Sequence, residues 1–265
     1  MSVLNTILDN TRSELIQAKQ VRPLAELQAI AAEQPPARGF ARALRRESGS
    51  APVHLISEVK RASPSAGRIR DDFDPARIAA AYARAGAHAI SVLTDRRFFE
   101  GSLEFLPQIR AVVDLPVLRK DFMVDPYQIW EARAYGADAI LLIVAALSKE
   151  ALRELHGLAL SLGMDALVEV HDGAELETAL EVITPRVLGV NNRNLKTMQV
   201  RLETALELRS GIPDGVVAVA ESGIHTHADV RRLETAGFDA MLVGESLMRQ
   251  SDLEAAVRTL LTGGA

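Results

Sequence analysis

Ionisable and amide side chains recur in this sequence where short apolar segments end. Each follows a run rich in Val, Ile, Leu or Ala, the composition expected of a buried strand. The side chains are Glu58, Lys60, Lys120, Glu169, Asn191 and Glu221. Any one of them alone fits an exposed loop residue or half of a structural ion pair equally well. Their recurrence at five strand ends favours a cluster of general acids and bases that work near neutral pH.

Eight β-rich segments that alternate with helical patterns must position these side chains. The predicted strands are HLISEVK, AISVLT, PVLRKDF, AILLIV, ALVEV, VLGVNN, VVAVAE and AMLVGE. Their continuous apolar character is typical of a parallel sheet whose two faces are both covered by helices. Gly86, Gly136 and Gly237 each end a helical pattern shortly before a strand, as helix C-caps do. The sequence therefore predicts an α/β fold of repeated βα units.

Two architectures contain such units: a closed (β/α)8 TIM barrel and an open doubly wound sheet. Eight units close a barrel, and 265 residues is close to the about 250 residues of a typical one. No Gly-x-Gly-x-x-Gly follows the first strand, where an open nucleotide-binding sheet holds pyrophosphate. We predict a TIM barrel with extra N-terminal helices, in which residues 1–265 form a single domain.

Residues 1–50 precede the first predicted strand and are expected to form a helical extension packed on the barrel. Two apolar stripes have helical spacing: Leu4, Ile7, Leu8 and Leu15, then Leu24, Leu27 and Ile30. Pro35-Pro36 and Ser48-Gly49-Ser50 are the linker-like stretches. Helix starts are predicted by capping side chains. These are Asp74 before Pro75, Asp125 before Pro126, Asp172 paired with Glu175, and Ser251 paired with Glu254.

Glycine-containing segments after the last two strands predict a phosphate site. Glu221-Ser222-Gly223 and Gly244-Glu245-Ser246 follow the seventh and eighth strands, the usual phosphate position in TIM barrels. Glycine lets the backbone approach an anion, although ordinary turn glycines give the same pattern. Ser63-Pro64-Ser65-Ala66-Gly67, after the first strand, is expected to be either a mobile lid whose Ser63 contacts phosphate or a solvated turn.

Aromatic and histidine side chains give weaker indications. Phe98-Phe99 after the second strand could stack on an aromatic substrate, although such pairs more often provide hydrophobic cover. His225 and His227 lie at a helix start without a third candidate ligand, so a metal site is not expected there.

Composition excludes several function classes. The formal charge is −5 and Lys and Arg are scattered, so no nucleic-acid partner is expected. The absence of cysteine excludes disulfides and thiol chemistry. The longest apolar run, residues 139–147, is shorter than the roughly 20 residues of a membrane span, and no secretory signal is evident. We expect a cytoplasmic monomer or homodimer that binds small molecules.

Four segments resemble the signature stretches of the indole-3-glycerol phosphate synthase family, in that family's order and spacing. They are Glu58 to Ser65 (EVKRASPS), Leu118 to Phe122 (LRKDF), Gly189 to Leu195 (GVNNRNL) and Ala220 to Ile224 (AESGI). The resemblance extends from the N-terminal helices to the last strand. It implies conversion of 1-(2-carboxyphenylamino)-1-deoxyribulose 5-phosphate to indole-3-glycerol phosphate with loss of carbon dioxide and water, without cofactor or metal.

The resemblance also implies a role for each matching residue. Lys120 would protonate the substrate carbonyl oxygen, Lys60 would lie by the substrate carboxylate, and Glu169 would act in the later proton transfers. Glu58, Asn191 and Glu221 would orient lysines and substrate hydroxyls, with Arg193 close by. Phe99 and Phe122 would pack on the anthranilate ring, and the N-terminal helices would help to cover the mouth. Phosphate would be held by Ser63, Ser222, Gly223, Gly244 and Glu245.

Two positions depart from the family pattern, and two rival functions are considered. Asn194 stands where some relatives carry aspartate, and Glu245 stands where a small residue is common, so we expect the Glu245 side chain to turn away from phosphate. A phosphoribosylanthranilate isomerase would need a cysteine general base, which this sequence lacks. A non-catalytic sugar-phosphate-binding barrel would not need two lysines and several carboxylates at strand ends.

Overall fold

Eight parallel strands form a closed barrel in a computed structural model that describes residues 3–47, 52–194 and 197–264. The chain order of strands is also their order around the barrel, and β1 closes it by pairing with β10. Closure confirms the TIM barrel and excludes the open sheet. The strands are β1 (His54–Val59), β2 (Ala62–Ser63), β3 (Gly67–Arg68), β4 (Ala89–Leu93), β5 (Val117–Lys120), β6 (Ala139–Ile143), β7 (Asp165–Val170), β8 (Val187–Asn191), β9 (Val217–Glu221) and β10 (Ala240–Val243).

All eight predicted strands are barrel strands, whereas β2 and β3 form a separate antiparallel pair. This pair flanks the small-residue segment after the first barrel strand, so that segment is the turn of a short hairpin. Of the described helices, three precede the first barrel strand and the others follow barrel strands. They are α1 (Val3–Val21), α2 (Leu24–Glu33), α3 (Phe40–Leu44), α4 (Pro75–Arg84), α5 (Arg96–Phe99), α6 (Phe105–Arg110), α7 (Pro126–Ala134), α8 (Lys149–Ser161), α9 (Gly173–Val182), α10 (Glu203–Leu208), α11 (His227–Ala236), α12 (Glu245–Met248) and α13 (Leu253–Thr262).

Two apolar layers surround the strands. Alternate residues of the strands point inward and fill the barrel with buried aliphatic side chains such as Ile56, Leu118 and Leu167. The residues between them point outward and pack against the helices, as Leu55 and Ile140 do. Because the interior is filled by side chains, the barrel is a rigid scaffold whose polar residues are free to gather at the strand ends.

The N-terminal helices contact opposite ends of the barrel. Phe40 and Leu44 of α3 are fully buried and belong to the cluster inside the barrel, where they close its amino-terminal end. The α2 helix packs on α7 through Leu27, and only α1 reaches the carboxyl-terminal mouth. The expectation that the N-terminal helices help to cover the mouth is therefore confirmed for α1 and wrong for α2 and α3. Leu24 does not belong to a buried stripe because its relative exposure is 42%.

Aspartates at the starts of three strands hold the segment around α3 in place. Asp138 accepts a hydrogen bond from Arg38 N at 2.7 Å, and Asp165 accepts one from Ala41 N at 2.9 Å. A third aspartate, Asp239, accepts one from Arg46 N at 3.3 Å. The backbone donors around this short helix need acceptors, and these buried or half-buried carboxylates provide them.

Most predicted helix starts are confirmed by capping hydrogen bonds. Asp74, Asp125 and Asp172 each accept one from a backbone N–H in the first turn of the following helix. The prediction of Ser251 as a cap is wrong. Asp252, one residue later, accepts from Ala255 N, and α13 begins at Leu253. A carboxylate is a stronger acceptor than a hydroxyl at the positive end of a helix, which favours the aspartate.

Two sequence features lie outside the described residues. They are the linker-like stretch Ser48-Gly49-Ser50 and Leu195, the last residue of the segment from Gly189 to Leu195. Within the described ranges, none of the helices combines the length and the apolar character needed to cross a bilayer.

Candidate active site

The carboxyl ends of the barrel strands surround a cavity of about 370 Å³. Every residue predicted from the sequence to act in catalysis or binding contributes to its lining. The residues are Glu58, Lys60, Ser63, Phe99, Lys120, Phe122, Glu169, Asn191, Arg193, Glu221, Ser222, Gly223, Gly244 and Glu245. The structure thus brings together side chains from strands and loops that are far apart in sequence. Their individual chemical roles remain predictions.

Lys120, the last residue of β5, contacts carboxylates from two other strands. Its Nζ atom lies 3.1 Å from Glu221 Oε2 of β9 and 3.5 Å from Glu169 Oε2 of β7. All three side chains are largely buried, with side-chain exposures of 14%, 1% and 3% in the order Lys120, Glu221, Glu169. The ammonium group is therefore fixed in the cavity by two carboxylates.

Lys60 forms a second ion pair at the same mouth. Its Nζ atom is 2.6 Å from Glu58 Oε1, and both residues lie on one side of the β1 segment because side chains alternate along a strand. Glu58 also interacts electrostatically with Lys120 and Glu169, so the two ion pairs form one cluster. This cluster therefore contains two ammonium groups and three carboxylates.

Burial and neighbouring charges of opposite sign shift the pKa values of this cluster in opposite directions. Burial alone would lower the pKa of Lys120, but Glu221 and Glu169 outweigh it and raise that pKa. Burial would raise the pKa of Glu169, yet Lys120 and His171 bring it well below its ordinary value. For Glu221, burial and the nearby Glu169 raise the pKa to about 8 despite Lys120. Lys120 therefore favours its protonated form, and of the two carboxylates beside it Glu169 favours the ionised form.

Backbone groups and small side chains form another part of the cavity wall. Ser222 and Gly223 have positive φ angles of 65° and 75°, a conformation that is uncommon for serine. A Cβ atom on Gly223 would come within 2.7 Å of Val200 Cγ1, so glycine is required for space as well as for conformation. This turn at the end of β9 keeps a stretch of backbone open toward the cavity. Strained turns of this kind concentrate at ligand sites.

Glu245 and Ser63 complete this side of the cavity. The Glu245 carboxylate accepts hydrogen bonds from Arg249 Nε and Nη2 at 3.1 and 2.8 Å. Its charge is therefore compensated within the first turn of α12, and its backbone N–H remains the group predicted to meet phosphate. Ser63 Oγ accepts a hydrogen bond from Ala66 N at 3.2 Å, which shapes the hairpin turn.

Apolar side chains line a third part of the cavity. The rings of Phe99 and Phe122 lie 6.2 Å apart, centroid to centroid, at an interplanar angle of 38°. Leu4 and Ile7 of α1 also contribute to this lining. Phe98 is not part of the lining, and Arg97 lies over its ring at 5.4 Å. An aromatic ring would find apolar contacts beside the charged cluster.

Asn191 and Arg193 connect the charged cluster to the backbone wall. Asn191 Oδ1 accepts a hydrogen bond from Arg193 N at 3.0 Å, and its side chain also contacts Glu169. The neighbouring Asn192 donates to Ser222 O at 3.0 Å, which ties the end of β8 to the turn after β9. The two loops therefore hold each other in position.

Sequence reasoning missed His171, which contacts Glu169 from the end of β7. The signal was available, because His171 lies two residues after Glu169 and must point to the same side of the strand. Of the two histidines considered for a metal, His225 lines the cavity, whereas His227 Nδ1 is 3.0 Å from Leu260 O. Within the described part of the chain, acidic and histidine side chains form no group of three suited to a metal ion.

Comparisons with known proteins agree with this geometry. A structure search finds the N-acetylmannosamine-6-phosphate 2-epimerase of Clostridium perfringens with a TM-score of 0.61, at 15% identity over 79% of this chain and 90% of that one. This likeness concerns the fold alone. The indole-3-glycerol phosphate synthase of Azospirillum brasilense is 51% identical, covering 98% of both chains. That of Chlorobium phaeovibrioides is 52% identical, covering 96% of this chain and 97% of the relative.

The family model described as "Indole-3-glycerol phosphate synthase" matches residues 4–260, from α1 into α13. The match covers the strand ends that carry Glu58, Lys60, Lys120, Glu169, Asn191 and Glu221. Together with half-identical relatives over nearly the whole length, it leads to one conclusion: the chain belongs to the indole-3-glycerol phosphate synthase family.

Proposed function

We propose that this chain closes the indole ring of 1-(2-carboxyphenylamino)-1-deoxyribulose 5-phosphate, releasing carbon dioxide and water, with Lys120 as the general acid. The observation that carries the assignment is the contact of Lys120 Nζ with Glu221 and Glu169 inside a cavity whose other wall is backbone and small side chains. Membership of the indole-3-glycerol phosphate synthase family supports the substrate.

The first step forms a carbon–carbon bond. The ring carbon that bears the carboxylate attacks the ribulose carbonyl carbon, and the carbonyl oxygen takes a proton from Lys120. Negative charge builds on that oxygen only as the bond forms, so a fixed ammonium group stabilises the transition state more than the bound substrate. The three neighbouring carboxylates keep the Lys120 proton in place until then, because they raise its pKa.

The later steps remove carbon dioxide and water. Loss of carbon dioxide returns its bonding electrons to the ring and restores aromaticity there. The new hydroxyl group then takes a proton from Lys60 and leaves as water, and Glu169 accepts the proton that is lost as the second ring becomes aromatic. Glu169 suits this role because Lys120 and His171 hold its pKa low, so it is ionised and able to accept.

Phosphate binding positions the flexible chain of the substrate. Backbone N–H groups of Ser222, Gly223, Gly244 and Glu245, with the Ser63 hydroxyl, are proposed to hold the phosphate, and Arg193 lies beside them. The apolar wall at Phe99 and Phe122 is proposed to hold the anthranilate ring. Fixing both ends brings the carbonyl group to the ring carbon, which can replace much of the entropic cost of closure.

Indole fluorescence tests the proposal and separates it from its rivals. The purified protein, incubated with the carboxyphenylamino-deoxyribulose phosphate, should produce indole fluorescence without added metal, and a chelator should not diminish it. A phosphoribosylanthranilate isomerase would leave this substrate unchanged, and a sugar-phosphate-binding protein would bind it without turnover. The family match and the absence of cysteine favour neither rival.

Substitution of Lys120 tests the assignment of the acid. Lys120→Ala should lower kcat by at least about 100-fold, the loss typical of a general acid. Lys149→Ala is a matched control, because Lys149 pairs with Glu181 on the surface with 48% of its side chain exposed. A folded Lys120→Ala variant with near-normal kcat would remove Lys120 from its role.

The wider organisation follows the same proposal. Residues 1–265 are inferred to act as one domain, since α2 packs on α7 and α3 is buried in the barrel interior. The expected partner is the phosphorylated substrate rather than nucleic acid or membrane, and the expected location is the cytoplasm. The expected assembly is a monomer or homodimer, which size-exclusion chromatography with light scattering distinguishes.

A further inference from the structure

His171 lies between two carboxylates at the end of β7. Its Nε2 atom is 3.3 Å from Glu169 Oε1, and its Nδ1 atom is 2.9 Å from Glu175 Oε2 in α9. The His171 side chain is only 8% exposed. The first contact is an ion contact rather than a well-aligned hydrogen bond, whereas the second is a hydrogen bond. The imidazole ring therefore joins the charged cluster to the helix behind it.

The contacts of His171 favour its protonated form. An ionised carboxylate only accepts hydrogen bonds, so the Nδ1 atom bonded to Glu175 carries a proton. The Nε2 atom lies 3.3 Å from Glu169 Oε1, and this second carboxylate favours a positive charge on the ring. The pKa of His171 agrees: burial would lower it, but Glu169 and Glu175 raise it to about 10.

The two carboxylates beside Lys120 differ in their remaining neighbours. Glu169 has a cation at each oxygen, with His171 at Oε1 and Lys120 at Oε2. Glu221 has Lys120 at Oε2, while its Oε1 atom is buried without a hydrogen-bond partner among the described residues. Two carboxylates that share one lysine cannot both ionise easily, because like charges repel. The one with the second cation holds the negative charge.

From this contact set we propose that His171 is a positioning residue that keeps Glu169, rather than Glu221, as the ionised carboxylate beside Lys120 and so fixes which of them acts as base. The inference rests on the proposed function. Lys120, Glu221, Glu58 and Asn191 face Glu169 from the other strands, and Glu175 faces His171 from α9. Lys120 serves both carboxylates, so His171 is the cation that distinguishes them, and Asn191 adds a neutral hydrogen bond to Glu169.

The dependence of kcat on pH tests this role. In His171→Asn and His171→Gln, Glu169 loses its second cation and its pKa should rise toward that of Glu221. The midpoint of the acid limb of the kcat profile should therefore rise above about pH 6.5, where pH 5.5 leaves only about a tenth of Glu169 ionised. At pH 5.5, kcat should fall at least about tenfold relative to the unmodified enzyme. At pH 8 it should be within about threefold.

Glu175→Ala is the matched control, because it removes both hydrogen bonds that tie His171 to α9 while Glu169 stays beside the ring. Its acid limb should stay within about half a pH unit of the unmodified enzyme. If His171 only anchored the loop between β7 and α9, Glu175→Ala and the His171 variants would behave alike. Equal profiles, a loss of kcat that is the same at every pH, or an unchanged acid limb in the His171 variants would each overturn the proposal.

An activity-independent measurement separates this inference from the proposed function. The ¹³C carboxyl signal of Glu169, assigned by its loss in Glu169→Gln, should titrate at a higher pH in His171→Asn than in the unmodified protein. That shift tests His171 even if indole fluorescence never appears, which would refute the proposed function alone. An unshifted signal in a protein that makes indole would refute the His171 inference alone.

Discussion

Gly189, in the middle of β8, leaves the space that the Glu221 carboxylate occupies. A Cβ atom at this position would lie 2.2 Å from Glu221 Oε1 and 3.0 Å from Leu167 Cδ1. Ordinary contact begins near 3.4 Å. Gly189→Ala therefore requires the carboxylate to move by about 1 Å, and the buried surroundings of Glu221 offer little room for it.

A movement of this size would break the contact that positions the acid. Glu221 Oε2 is 3.1 Å from Lys120 Nζ, and an added ångström takes it beyond hydrogen-bond distance. Misplacement of a catalytic group by about 1 Å can cost about 100-fold in rate. Overpacking a filled core costs about 1–3 kcal/mol of stability. We expect Gly189→Ala to lower kcat about 100-fold and to lower Tm by several degrees, at about 2–4 °C per kcal/mol.

Steady-state kinetics and thermal melting check this prediction together. Gly157→Ala is the matched control, because Gly157 lies in α8 with no atom within 4 Å of an added Cβ. That variant should gain about 0.5–1 kcal/mol of stability, since alanine favours a helix more than glycine does, and keep its kcat. Adding Glu221→Asp to Gly189→Ala shortens the obstructed side chain and should restore part of the Tm. A folded Gly189→Ala enzyme with unchanged kcat would refute the reasoning.

Three other predictions concern charge and packing. Glu169→Gln should lower kcat at least about 100-fold at pH 7. Glu221→Gln imitates the neutral form favoured by a pKa of about 8, so it should lower kcat less than about tenfold. Equal losses in steady-state assays would contradict the assignment of Glu169 as the base. Because the pKa of His171 is raised from 6.5 to about 10, its stabilising effect is complete below pH 6.5 and is lost as the pH rises through 10. Urea unfolding of His171→Asn should therefore show a flatter pH dependence over that window, by at most about 1.4 kcal/mol per pH unit, and parallel curves would argue against it. Phe40→Ala should reduce the free energy of unfolding by about 3–5 kcal/mol in urea, and a loss below about 1 kcal/mol would show that α3 is not an essential plug.

The barrel was predictable because its signals are local and repeated. Continuous apolar strands, aspartate caps such as Asp74 and glycine at helix ends each report on a few neighbouring residues. Eight repeats then leave few ways to close the sheet. Ser251 and Asp252 stand side by side before α13, and the spacing of Ser251 to Glu254 led to the wrong prediction. The stronger acceptor, Asp252, caps the helix.

The sequence allowed us to predict which residues meet at the site, but not which of its carboxylates is ionised. Parallel strands bring their carboxyl ends to one edge, so Lys60, Lys120 and Glu169 had to meet if the barrel closed. Which carboxylate is ionised depends on distances between strands far apart in sequence, and on His171, which no strand-end pattern singled out. The position of α3 was likewise hidden, since its short apolar helix fits a surface extension as well as a plug.

The hydrogen bonds that hold α3 in place also determine when, during synthesis, its end of the barrel can close. Arg46 N meets Asp239, a partner 193 positions later and next to the final barrel strand. During synthesis the first helices leave the ribosome long before that aspartate exists, so the amino-terminal end of the barrel stays unsealed until Asp239 has been added. Contacts of such long range slow folding, and this one places the closing event after translation of β10.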